Sequence, residues 1–456
     1  MRIQTTDSLF PWERLEDSPA LATCQRFLEL LPDAPLLAAL RACRGRGRND
    51  YPVGILWRVH LLRYLLRHPT VEACLAELGR NAALRKLAGI EEGQKVPEAW
   101  NMSRFAAVLG RPAHHALLER MFAELITRLA AAVPDLGRQV AGDSAALAAR
   151  QDADATGVGL PQPDGGRKEY TDEAGQVVKA YEWFGYKFHL LVDVKHEVAL
   201  AYRITPASVA DVTEIPALLQ QTQAVLPQNA DGSGRIETLA YDKAADDGAT
   251  HKLLAGHHIK PLIENRALWK SEPERMLPGH DGHSNVVHDE AGTLYCYDKV
   301  SPTPVRHKMA YLGHEKSRGT LKYRCPARHE GWTCPSDKKC NGGSCYGKTV
   351  RVQCQLDLRR FPPIPRATQE FERRYKGRTA VERVNARTKL FWGADDGNIT
   401  GAYRFHAHLD TIMVVHAGFA NLLAMAPRHE GRSLSPVRLS VIARRLRDAA
   451  QTAAGS

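Results

Sequence analysis

The periodicity of the chain changes once, near residue 136, and that change limits the folds open to it. Before it, apolar residues recur every three or four positions in ALATCQRFLELL, APLLAALRAC and GILWRVHLLRYLLRH. Pro52 and Pro69 fall between these runs, so helices are predicted throughout residues 1–135. After it, RQVAGDS, YEWFGYKFHLLVDV, EVALAYRI, IETLAYD and IKPLIE read as strands, rich in aromatic and β-branched residues. DVTEIPALLQQTQAVL and AADDGATHKLLAGH have helical spacing between them, and His196-Glu197 reads as a hairpin connection. The order β-β-β-α-β-α-β gives an α+β fold, a mixed sheet with helices on its faces.

Residues 266–362 break this pattern with Gly, Pro, His and six of the nine cysteines, and predict a β-rich insertion. A long helix from Ala367 to Phe391, a second near 402–426 and a tail rich in arginine (Arg428, Arg432, Arg438, Arg444, Arg445, Arg447) follow. The expected units are therefore residues 1–135, helical; 136–265 and 363–427, two parts of one mixed α/β core; 266–362, the insertion; and 428–456, a basic tail. With 456 residues, two to four such units can each bury a core.

Lys and Arg total 62 against 51 Asp and Glu, a formal charge of +11, which suits a polyanionic partner. The N-terminal MRIQTTDSLFPWERLEDSPA lacks the apolar region of a secretory signal. TIMVVHAGFANLLAMA, the longest apolar candidate, contains His416 and Asn421 and reads as a buried helix, not a membrane span. No membrane partner is expected, and the cysteines are expected to be reduced.

Three acids suit one strand order. Asp143 ends the first predicted strand, Asp242 ends the fourth, and Glu382 lies on the helix after the insertion. Were strands one and four neighbours, both aspartates would project at the carboxyl edge, where open α/β sheets place ligands. Clustered carboxylates need cations between them, and Mg²⁺ takes oxygen ligands; two such ions serve phosphodiester chemistry. Asp152, Asp154, Asp193, Asp246, Asp247 and Glu264 compete for the same role. On a continuous helix, Tyr375, Arg378, Glu382 and Lys389 share one face. Only Glu382 would reach the metals, leaving Arg378 and Lys389 for phosphates and Tyr375 to donate or stack. A solvated stripe with an Arg378–Glu382 pair is the alternative. Trp392 either stacks on an unpaired base or packs in the core.

TVEACLAEL and RNAALRKLAGI, joined through Gly79 and Asn81 behind a Thr70 cap, form either a helix-turn-helix or an ordinary bundle pair. In the first case Arg80, Arg85 and Lys86 approach phosphates. Cys325, Cys334, Cys340, Cys345 and Cys354, with His329 nearby, offer a structural zinc site or unligated thiols, since no C-x2-C knuckle is present. GGSCYGKT at 342–349 matches the phosphate-loop pattern, but lacks the strand before it and the helix after it, and is read as a turn.

Y-x2-R-x3-E-x6-K, as Tyr375, Arg378, Glu382 and Lys389, resembles the signature of bacterial insertion-sequence transposases of the DDE type. GDS at 142–144, GYKFHLLVD at 185–193 and YDKAADDG at 241–248 resemble that family's acidic regions, and NAALRKLAGI and NMSRF resemble the segment before its catalytic core. The resemblance, over roughly residues 40–425, implies a ribonuclease H-like core and a triad of Asp143, Asp242 and Glu382 on two Mg²⁺ ions. It also implies double-stranded DNA partners (terminal inverted repeats and target), a homodimer on DNA, and a cytoplasmic, nucleoid-associated location. It assigns the cysteines no role. A DNA-binding descendant that does not cut, a purely hydrolytic nuclease and an RNA-binding protein are the other classes in view.

Overall fold

A computed structural model describes residues 18–45, 51–150, 159–171, 176–277, 285–298, 300–396, 399–426, 433–435 and 439–454. Asp152, Asp154, Arg428, Arg432 and Arg438 lie outside them.

Among the described residues seven helices come first: α1 Pro19–Leu30, α2 Ala34–Arg44, α3 Val53–Leu65, α4 Val71–Arg80, α5 Ala82–Ala88, α6 Ala99–Leu109 and α7 Pro112–Ala132. Thr70 caps α4, its hydroxyl accepting the Ala73 N–H at 3.1 Å. Gly79 lies inside α4, and Asn81 alone separates α4 from α5 while capping α5 through the Leu84 N–H. A helix-turn-helix needs a turn of about three or four residues. The one-residue joint, with Leu78 and Leu84 buried on the inner faces, makes this a bundle pair. Arg80 is exposed and paired with Glu77, Arg85 donates to the Gln94 carbonyl at 2.6 Å, and Lys86 is exposed.

The central sheet is built from β1 Gln139–Ala148, β2 Asp164–Thr171, β3 Val177–Asp193, β4 Ala199–Pro206, β5 Thr238–Tyr241 and β6 Lys260–Ile263. β1 is paired antiparallel with β3 on one side and parallel with β5 on the other. β4 adds antiparallel outside β3, and β6 adds parallel outside β5. Read across, the order is β4-β3-β1-β5-β6, with β2 paired to the first half of β3. The meander and the crossover agree with the predicted order. β2 was not legible, because DGGRKEYT has no apolar alternation. Helix α8 Asp211–Val225 follows β4, and α9 Gly248–Gly256 makes the crossover from β5 to β6.

The insertion carries β7 Arg275–Met276, β8 Val286–His288, β9 Leu294–Tyr297 and β10 Arg306–Lys308 in one antiparallel sheet. A second contains β11 Ala310–Glu315, β12 Thr320–Arg324 and β13 Thr349–Gln353, with short helices α10 Pro326–Glu330 and α11 Asp337–Asn341 before β13. The GGSCYGKT segment runs directly into strand β13, so it is not a phosphate loop. Leu277, Val286, Leu321, Tyr323, Val352 and Phe361 form a small core of their own here.

After the insertion come α12 Gln369–Tyr375, a tight 3-10 turn Lys376–Arg378, α13 Thr379–Trp392, α14 Ala402–Met425 and α15 Leu439–Ala454. The expected single helix from 367 to 391 is thus tightened at Gly377, where a Cβ would stand 2.6 Å from Val194 Cγ1. The backbone stays in the right-handed helical region through the turn. Segment 428–456 is more than a basic tail: Ile442 and Leu446 of α15 are buried in the main core.

α14 is long and apolar enough to cross a membrane by composition, yet it is buried. Five of its buried polar residues bond across the core. Thr411 Oγ1 lies 3.0 Å from His60, His408 Nδ1 is 2.7 Å from the Tyr64 hydroxyl, and Asp410 accepts from Tyr202 at 2.9 Å and pairs with His115 at 2.6 Å. His416 accepts the Ala199 N–H, and Asn421 donates to the Leu125 carbonyl. The N-terminal helices and the sheet therefore share one hydrophobic core around α14.

Candidate active site

Asp143 does not end β1; it sits in its middle. The parallel pairing of β1 with β5 runs Gln139↔Thr238, Val140↔Leu239, Ala141↔Ala240, so two residues further on Asp143 stands level with Asp242. β5 stops at Tyr241 while β1 continues, and this difference in length explains why the level was legible and the strand end was not. Gly142 allows the close approach: a Cβ there would lie 2.0 Å from the Tyr241 ring. Asp242 caps the following 3-10 turn, accepting the Ala244 N–H at 3.0 Å, which fixes its side chain just past the strand.

Glu382 lies in the first turn of α13, and Arg378, one turn earlier, bridges it to the sheet. The guanidinium donates to Glu382 at 2.5 Å and lies 3.9 Å from Asp143 Oδ2. Burial above all, with a smaller push from nearby Asp242, raises the Asp143 carboxyl to about 6 against the Ser144 N–H, Arg378 and Lys168. Burial works to lower the Arg378 pKa, but Glu382, Tyr375, Asp143 and Asp242 together hold it above its ordinary value. The pocket between β1, β5 and α13 thus has an excess of negative charge that one arginine meets in part.

The other members of the motif are placed differently from one another. Tyr375 stacks on Phe371 with ring centroids 5.5 Å apart, and burial and its hydrogen bond to Glu264 push its hydroxyl up to about 12. Lys389 donates to the Ala146 carbonyl of β1 at 2.6 Å and so ties α13 to the strand that carries Asp143. Trp392 is buried, edge-on to His416, and packs in the core; its ring is not presented to a base.

The competing acids have other employment. Asp193 accepts the Gly137 and His196 N–H groups, and Asp247 caps α9. Asp246 is buried among His251, Arg359 and Arg366. Glu264, at the end of β6, is exposed beside Tyr375. One positioning residue escaped the sequence reading. Glu197, in the β3–β4 turn, receives Arg383 at 2.6 Å and Arg387 at 2.5 Å, and so clamps α13 over the sheet. The i,i+4 arginines flanking Glu382 were its signal.

Among the described residues, no group of three or more His, Cys, Asp or Glu side chains has the geometry to hold a metal ion. For the carboxylates, Arg378 stands where they would meet. For the thiols, the expected set of Cys325, Cys334, Cys340 and Cys345 is not assembled. Cys345 is exposed, Cys354 is buried, and the fourth thiol near Cys325, Cys334 and Cys340 is Cys296 of β9. Asn285 and Asn341 donate to Cys340 and Cys325 at 3.6 and 3.8 Å, and all nine cysteines are free.

Residues 148–416, more than half of the chain, match the family described as Transposase DDE domain. Residues 10–107 match a second family, Transposase domain (DUF772). The protein belongs to the DDE transposases. The matched region contains Asp242 and Glu382 and begins five residues after Asp143. No curated protein matches the chain.

Proposed function

We propose that the protein is an active insertion-sequence transposase that binds the ends of its element, cleaves them and joins the resulting 3′-hydroxyls to target DNA. The observation that carries this reading is the pairing of β1 with β5, which sets Asp143 level with Asp242 beneath the helix that bears Glu382. An antiparallel meander continued by two parallel strands supports a ribonuclease H-like core.

The donor set fits a hard cation. All three groups offer carboxylate oxygens, and Asp143 is raised mainly by burial with Asp242 adding to it, a state that a bound cation would offset. Two Mg²⁺ ions bound there would activate the attacking oxygen and stabilise the leaving oxygen of a phosphodiester. The chain's own residues do the rest. Asp143, Asp242 and Glu382 hold the charge in place, and Arg378, released from Glu382, turns to a phosphate oxygen. Lys389 fixes the distance between α13 and β1, with its ammonium within reach of the same backbone, and Tyr375 closes the side next to Glu264. Two ends must be held at once, which calls for a dimer on DNA.

The test uses the DNA flanking the reading frame, in a Mg²⁺-dependent nicking assay followed by joining of pre-cut ends. Asp143→Asn, Asp242→Asn and Glu382→Gln should each abolish nicking and joining while end binding stays near wild type. Near-normal nicking by any one removes that residue from the triad. Nicking without joining by the wild-type protein would make it a hydrolytic nuclease, and binding alone a non-cutting descendant.

A further inference from the structure

A two-stranded ribbon leaves the central sheet beside the carboxylates. The half of β3 beyond Gly185 lies between β1 and β4, but the half before it pairs with β2, from Asp164↔Gly185 to Thr171↔Val177, and from Val177 to Trp183 with β2 alone. Its base is fixed. The Ser208 N–H donates to Asp164 at 2.9 Å, and the Trp183 indole donates to the Tyr186 carbonyl at 3.2 Å. The Trp183 ring covers Gly166, where a Cβ would stand 2.4 Å from it. Further out, residues 176–182 are exposed, with Val178 at 65% and Tyr181 at 50%. A two-stranded ribbon with no covering layer is marginal in water, so this one gains from a partner outside the fold.

The pairing sorts its side chains, because directly opposed residues share a face. Arg167↔Glu182 and Glu169↔Ala180 lie on one face, where Arg167 meets Glu182 at 3.1 Å and Glu169 at 2.7 Å and the charges largely cancel. The other face carries Lys168 opposite Tyr181, then Lys179, with Tyr181 stacked on Trp183 at 5.8 Å and 25°. Asp164, the described carboxylate of that face, lies at the ribbon's base, where it accepts from Ser208; further out the described side chains are cations and aromatic rings. Where the ribbon starts, Gly185 pairs with Ala148 of β1, on the strand that carries Asp143 five residues earlier.

We propose that the Lys168–Lys179–Tyr181 face of this ribbon is a DNA-holding arm, its lysines on phosphates and Tyr181 against a sugar or base of the strand entering the site. The inference rests on the transposase reading and adds to it a second DNA-contacting element, remote in sequence from α13. Interleaved cations and rings, with Asp164 occupied by Ser208 at the base, suit a nucleic acid better than a second copy of the chain.

The full-length protein would be titrated with a labelled duplex of the flanking DNA across a NaCl series. Lys168→Ala/Lys179→Ala should flatten the slope of log K against log[salt] by about 1.8, at roughly 0.9 per lost phosphate contact. Tyr181→Ala should weaken binding by roughly tenfold at an unchanged slope. Arg167→Ala/Glu182→Ala, on the opposite face, should change neither. Wild-type affinity and slope in the double-lysine variant would overturn the proposal. So would a shift from dimer to monomer by sedimentation with DNA binding intact, which would make the ribbon a protein interface. Nicking that survives Asp242→Asn would instead sink the active-site reading, and the salt slopes would still decide the ribbon.

Discussion

His115 and Asp410 form a charged pair where α7 meets α14, 2.6 Å apart, with Asp410 fully buried and the Tyr202 hydroxyl donating to it. Burial works to lower the His115 pKa, but Asp410 and then Glu119 outweigh it and raise the imidazole to about 9. A histidine held above its unfolded value contributes stability that is fully present below about 6.5 and is lost as pH rises through 9. The size is on the order of 2 kcal/mol for a group this enclosed. Urea midpoints should therefore show wild type well above His115→Gln at pH 6, with the gap closing toward pH 9.5. A gap that is constant across that range would mean the pair does not titrate with folding.

At the scale of the element, α13 depends on contacts at its flank. Lys389 ties it to β1, and Glu197 holds Arg383 and Arg387 from the β3–β4 turn. Glu197→Ala should slow cleavage by roughly ten- to a hundredfold, since small misplacements of reacting groups have that effect, while DNA affinity stays unchanged. Comparing nicking rate with equilibrium binding checks this; equal rates for variant and wild type would show that α13 holds its place without the clamp. The same element shows what the sequence could reveal. The Tyr375–Lys389 spacing placed Arg378 beside Glu382, because i,i+4 geometry is local. It could not reveal that Lys389 turns inward to Ala146, or that a 3-10 turn tightens the helix at Gly377, because both depend on Val194 and β1, remote in sequence. The strands of the meander were legible from their β-branched and aromatic runs. The exposed β2 was not, since a strand with no buried face leaves no apolar alternation. Trp392 and the α4–α5 pair resolved toward packing for a related reason: their local patterns suit a core as well as a ligand.

Across the whole molecule, two hydrophobic cores are joined by one buried ionic knot. Asp246, 2% exposed just past β5, accepts from His251, Arg359 and Arg366, and Arg359 reaches on to Glu290 and the Arg266 carbonyl in the insertion. Burial would raise the Asp246 carboxyl, yet His251 and the arginines hold it down at about 2. Removing one partner of such a pair costs about 3–5 kcal/mol. Arg359→Ala should loosen the insertion first, so limited proteolysis should cut residues 266–362 before the main core is attacked. Simultaneous loss of both cores would show that they unfold as one.

α14 also fixes when the protein can acquire its shape. Helices α3 and α7 bury their polar groups against Thr411, His408, Asp410 and Asn421, residues made hundreds of positions later. Domains usually fold one after another as they leave the ribosome. Here α3 and α7 cannot complete the burial of these groups until α14 has been made. A chain cut short before α14 therefore lacks the helix that completes this core.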